Sequence, residues 1–291
     1  MQNDALLKDL AHCGSPDTLV AAILKHHPGL QAPVDVEDLA RSMGISAFRA
    51  IHADGSTSGL LTDVETGEVI ILTAATFSSP RRRIAIAHQL GHHLMTVHVG
   101  DRQCASRDLS ESRRDTPRRK EEMQANRFAA GLLMPKPLFV AFVAGLGKPS
   151  VAHLPKIAAT YGVTVEAAAD RYVELAKGLF AVLIIKKGVV RHVMTGRSFP
   201  PLCVRPGDAA PATAQIASSE DPIAWTPVEV RDWLVMAREV RPPAMAMQML
   251  DTRSGVKIVL LSINAAAERR ADEEAEKAAT ESSKFGRRPS R

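Results

Sequence analysis

Two histidines four residues apart, set in a run of small and apolar residues, constrain this chain most. The stretch runs from Arg81 to Leu94 and carries His88 and His92. On an α-helix that spacing puts both imidazoles on one face, one turn apart. A helix is expected because Ile84, Ala85, Ala87, Leu90, Gly91 and Leu94 are small or apolar, the mark of a buried segment. Ser78-Ser79-Pro80 offers an N-cap and a proline for the first turn. Two stacked imidazoles present borderline nitrogen donors, which suit Zn²⁺. A third ligand is then required. The next helical run, Glu121 to Pro135, offers carboxylates at its polar start.

These two stretches resemble the ImmA/IrrE family of zinc metallopeptidases. That family reads Ala-His-Glu-Leu-Gly-His, followed by Glu-x-x-Ala-Asn-x-Phe-Ala-x-x-Leu-Leu-Met-Pro some thirty residues on. Here Ala87-His88-Gln89-Leu90-Gly91-His92 and the run from Glu122 through Ala125, Asn126, Phe128 and Ala129 to Pro135 match it. The resemblance covers about residues 33–145. It implies an α+β fold: a zincin-like domain with an active-site helix and a small mixed sheet, joined here to a smaller C-terminal α+β unit. It also implies Zn²⁺ as cofactor, held by His88, His92 and Glu122. The family register selects Glu122 over Glu121 because it precedes Asn126 by four residues. Asn126 is then one turn along the same face, where it orients a ligand or a substrate backbone.

One position departs from the pattern, and it is Gln89, where the family has Glu. In His-Glu-x-x-His sites the Glu takes a proton from the metal-activated water and passes it to the leaving amine. An amide is nearly isosteric and still hydrogen-bonds, but it does not accept a proton near neutral pH. Losing a general base costs about 10²–10⁴ in rate. Metal binding is expected to survive and hydrolysis to be impaired. Either Gln89 inactivates an otherwise competent enzyme, or the chain is a metal-binding pseudo-peptidase that binds and regulates its target.

Other candidates receive plainer readings. Arg81-Arg82-Arg83 is a solvated face or a patch for an acidic partner. His93 lies about 100° around the helix from His92, and His98 is also off the ligand face. Residues 100–120 are polar and basic and read as a long loop over the cleft. Within it Cys104 is an ordinary loop thiol or a thiolate able to reach the metal. His26 and His27 close an N-terminal helix, where positive charge suits the dipole. Residues 154–176 superficially resemble a helix-turn-helix, with Gly162 at the turn. The second helix has few donors for base edges, so packing helices are expected there and no direct nucleic-acid binding.

Four segments are expected: N-terminal helices over 1–32, the peptidase-like domain with trailing helices over 33–177, an α+β unit over 178–264, and a charged tail over 265–291. Strands are expected at 46–51, 59–62 and 69–72, then at 179–185, 189–194, 227–237, 245–250 and 256–263. In peptidases of this kind an extended substrate pairs with an edge strand, a role the resemblance gives to 58–62 or 69–72. Trp225 and Trp233 are expected to pack. Aromatic residues are 4% of the chain, so its core is mostly aliphatic. Three widely spaced cysteines argue against a disulfide framework and for a reducing cytoplasm. No apolar run is long enough to span a membrane. The resemblance implies as partner a helix-turn-helix (XRE-type) transcriptional repressor, and a place in stress-response or mobile-element regulation.

Overall fold

A parallel strand pair and two antiparallel strands build the first sheet, in the order β1-β3-β2-β4. Its strands are β1 (Ile45–Ile51), β2 (Thr57–Thr62), β3 (Val69–Ala74) and β4 (Arg102–Ala105). The computed structural model describes residues 4–52, 57–63, 65–95, 102–105, 117–215, 224–237, 239–252 and 255–263, and for 57, 102–105, 117 and 215 the backbone only. The described residues divide into two compact units, within Met1–Gly147 with Pro155–Arg171, and within Lys148–Leu154 with Tyr172–Arg291. The fold is α+β.

In the first unit, α1 (Asp4–Ala11) and α2 (Pro16–His26) precede α3 (Val36–Ser42) and the sheet. Ser15 caps α2 in a capping box with Thr18, and Asp35 caps α3 by accepting from the Asp38 amide at 3.0 Å. The sheet leads into α4 (Ser79–Leu94), and α5 (Pro117–Leu133) and α6 (Lys136–Gly145) follow β4. Pro80 stands in the first turn of α4, as expected, while the N-cap Ser78 makes no side-chain cap bond. Ala85 through His92 are all buried, so α4 is a core helix. α5 crosses it closely. A Cβ on Gly91 would lie 3.0 Å from Phe128 Cδ1 and 3.3 Å from Ala125 Cα, so the missing side chain lets the two helices approach. Asp17 on α2 pairs with Arg127 on the outer side of α5 at 2.6 Å.

The three arginines that open α4 are anchors. Arg83 donates to the carbonyls of Val34 and Gly162. Arg82 pairs with Glu37 at 2.9 Å, and Arg81 lies over the Phe77 ring. Gly162 takes φ +61° in the turn between α7 (His153–Tyr161) and α8 (Val165–Leu175), where a Cβ would lie 2.9 Å from Arg83 Nε. Ile157, Tyr161, Ala168 and Ala169 are buried, which makes these packing helices.

The second unit is a five-stranded antiparallel sheet in the order β6-β5-β9-β8-β7. Its members are β5 (Leu179–Lys186), β6 (Val189–Thr195), β7 (Thr226–Pro227), β8 (Met245–Asp251) and β9 (Val256–Ile263). Lys187 and Gly188, both with positive φ, turn β5 into β6 as a tight hairpin demands. Phe180 to Ile185 are buried without alternation, so β5 is covered on both faces. Leu183, Val259, Leu261 and Met247 pack with Trp233 on one face. On the other, Gln248 accepts from the Val151 amide at 2.8 Å and Tyr172 stacks near Phe180.

Three expectations change here. The strand expected over 227–237 is only Thr226–Pro227, followed by a 3-10 turn at Val230–Asp232. Pro227 lacks an amide to continue a ladder, and the Val230 carbonyl accepts from Trp233 and Leu234 instead, curling the chain to bury Trp233. Trp225 is 38% exposed and lines an apolar recess of about 920 Å³ with Phe180, Val228, Pro243 and Met245. Residues 102–105 belong to a strand, and α5 begins at Pro117, so the long loop over 100–120 is interrupted at both ends. His98, residues 106–116 and the tail from 264 lie outside the described residues.

Candidate metal centre

α4 presents His88 and His92 toward α5, and α5 presents Glu122 and Asn126, one turn apart, back toward α4. The His88 and His92 Nε2 atoms are 3.1 Å apart, with their rings edge to face. Glu122 reaches both: Oε2 is 3.2 Å from His88 Nε2 and Oε1 is 3.5 Å from His92 Nε2. All three side chains are buried. Among the described residues this is the one cluster of His, Cys, Asp or Glu whose ligand atoms converge enough to hold a metal ion.

The donor spacing suits zinc. Ligand bonds of about 2.0–2.1 Å at tetrahedral angles put neighbouring donors roughly 3.3 Å apart, in the middle of the observed 3.1 to 3.5 Å. The tautomer suits it too. His88 Nδ1 lies 2.9 Å from Asn126 Oδ1. An amide oxygen only accepts, so Nδ1 carries a proton and Nε2 is the nitrogen turned to Glu122, the one available to a cation. Burial alone would raise the Glu122 carboxyl. The hydrogen bonds and charge of His88 and His92 outweigh burial and hold it well below the usual carboxylate range. Glu122 is therefore an anion in a buried, donor-rich site.

Gln89 sits between the two histidines in sequence and is fully buried. Its Nε2 donates to Ser58 Oγ at 2.9 Å, while Oε1 has no partner among the described residues. The side chain thus offers a fixed, unused acceptor and no group able to take a proton near neutral pH. Ser58 is the residue the sequence reading missed. It is a buried serine near the start of β2, and nothing in the local pattern announces that α4 packs there.

The remaining candidates fall away from the cluster. His93 turns to the Met43 carbonyl at 3.2 Å, and burial pushes its pKa down. His26 pairs with Asp9. The Cys104 side chain lies outside the described atoms. The strand assignment for substrate needs correction: β3 lies between β1 and β2, so 69–72 is not a free edge, and β4 covers residues 57–60 of β2, so the part of 58–62 up to Leu60 is not one either. A four-residue strand with no apolar alternation, β4, covers β2.

Comparison with known proteins finds likeness in sequence and in fold. Residues 40–172 match the IrrE N-terminal-like domain of a peptidase family. A Mycobacterium tuberculosis transcriptional regulator of known structure is similar over 89% of this chain and 79% of its own, with a TM-score of 0.53 and 14% sequence identity. At that identity the likeness concerns the fold. No curated protein matches the sequence. Among the described residues no single helix is long and apolar enough to cross a membrane.

Proposed function

We propose, from the match of residues 40–172 to the IrrE N-terminal-like domain, that the chain is a zinc-dependent, peptidase-fold regulator of that family whose hydrolytic step is impaired by Gln89. His88, His92 and Glu122 hold the ion, and Asn126 sets the His88 tautomer. The observation that carries this reading is the convergence of three buried donors from two helices, at spacings matched to a tetrahedral ion. Zinc bound there supplies Lewis acidity, polarising a peptide carbonyl and acidifying a water.

The protein's own residues set the limit. Gln89 hydrogen-bonds and orients, but the proton removed from water has no base at that position to receive it. A bound peptide is therefore cut slowly. The target proposed by resemblance is a helix-turn-helix transcriptional repressor, in the cytoplasm, with capture of that repressor as the regulatory act. The similarity to a transcriptional regulator fits a role in gene control, though that name describes the other protein.

The first test is zinc content of the purified chain and of His92→Ala. One zinc per native chain, lost in the variant, supports the site; none in the native chain after loading overturns it. The second is Gln89→Glu. Restored proteolysis of a repressor that the native chain binds but does not cut supports an impaired peptidase. Binding without cleavage in both supports the pseudo-peptidase.

A further inference from the structure

The stretch of sheet edge beside α4 is already filled by the chain itself. β2 packs on α4, with Ser58 Oγ accepting from Gln89, the neighbour of His88. One edge of β2 is used by β3, where Leu60 faces Ile71. The other is used by β4, antiparallel, with Ser58 facing residue 104, Gly59 facing 103 and Leu60 facing 102. An extended peptide entering a site built on α4 needs that same row of amides and carbonyls, since strand addition works through the main chain.

We propose that residues 102–105 are an internal stand-in for substrate, which occupies the outer edge of β2 and must leave before an extended polypeptide binds. The proposal rests on the metal-site reading above. Three observations favour it over a mere sheet extension. β4 has four residues, short for a strand, so it has few ladder bonds to surrender. Its sequence, Arg102-Gln103-Cys104-Ala105, lacks the β-branched and aromatic residues that hold a strand by propensity. It also lies in the chain between the α4 histidines and Glu122, so tethering at both ends keeps it at high effective concentration beside the site. A partner then competes with an intramolecular strand, and only a well-matched segment wins.

The test uses the full-length, zinc-loaded chain with Gln103→Pro and Cys104→Pro compared separately. Adjacent residues of an edge strand alternate between amides that face the neighbouring strand and amides that face away. One proline therefore breaks a bond to β2, and the other is tolerated and serves as the folding control. Two probes are titrated: acetohydroxamate, which needs the metal alone, and a synthetic peptide of residues 100–106 ending in a hydroxamate. The native chain and the control proline variant are expected to bind both probes alike. The ladder-breaking variant is expected to bind the peptide form about tenfold or more tighter, with acetohydroxamate unchanged. A native chain that already prefers the peptide, or no gain in either variant, overturns the proposal. If neither hydroxamate binds and zinc is absent, the metal reading fails by itself. The plain peptide then decides: protection of the amides of 58–60 from hydrogen exchange in the ladder-breaking variant alone supports the stand-in strand, and its absence there refutes it.

Discussion

His88 Nδ1 and Asn126 Oδ1 stand 2.9 Å apart across 38 residues of chain. The same turn of α5 that carries Glu122 thus fixes which nitrogen of His88 is free to bind. Orientation and ligation come from one helix, so they are set together or lost together.

Asn126→Ala should weaken zinc binding by about 10–100-fold, the usual cost of losing such a partner. Asn126→Asp keeps an acceptor for Nδ1–H and should stay near native affinity. Competition against a chromophoric chelator measures both. Equal affinity for native and Ala forms would show that His88 needs no support.

Gly91→Val tests the helix crossing. Even a Cβ meets Phe128 Cδ1 at 3.0 Å and the Ala125 backbone at 3.3 Å. The larger side chain should destabilise the metal-free fold by about 1–3 kcal/mol, the range for overpacking. It should also lower zinc affinity, because α5 carries Glu122. A denaturant melt paired with a metal titration reads both effects; a stability loss with zinc affinity intact would detach the crossing from the site.

The depressed Glu122 carboxyl fixes a pH dependence. Its folded pKa lies below the ordinary value of 4.5. Its contribution is therefore present in full above that value and is lost as pH falls through the folded pKa. In metal-free protein the stability gap between the native chain and Glu122→Gln should shrink on acidification below about pH 5. Urea melts from pH 3 to 7 test this, and a gap that widens on acidification would reverse the sign.

Arg83 and Arg82 should separate cleanly. Arg83→Met leaves the Val34 and Gly162 carbonyls without their donor, at a cost of about 1–3 kcal/mol. Arg82 pairs with Glu37 between partly exposed side chains, so Arg82→Ala should change stability by about 1 kcal/mol or less. Neither should alter zinc stoichiometry. Comparable losses from the two variants would mean that the carbonyl bonds carry no special weight.

The helices that carry the metal-site residues are legible in the sequence, because their apolar residues repeat at helical spacing and a proline marks the start of one and the end of the other. The close approach of Glu122 to the histidines follows from Gly91, whose role is invisible until Phe128 is seen against it. β4 is not legible: Arg102 to Ala105 has no alternation, and only the unpaired edge of β2 makes it a strand. Arg83 departs from the solvated-face reading for a related reason. Its acceptors are carbonyls at Val34 and Gly162, and no local pattern in side chains encodes a distant carbonyl. The 3-10 turn near Trp233 is likewise a tertiary result, in which burying one indole overrides the strand tendency of its neighbours.

The bond from Arg83 to Gly162 spans 79 residues, and that distance matters while the protein is being made. A chain leaving the ribosome completes α4 long before Gly162 exists. At about 5–20 residues per second, the start of the histidine helix waits several seconds for one of its two carbonyl anchors. Metal offered during that interval meets a helix whose start has the Val34 anchor but not yet the Gly162 one. Full anchoring of the start of this helix is thus a late event in the life of the nascent chain, timed by a turn that contributes no ligand.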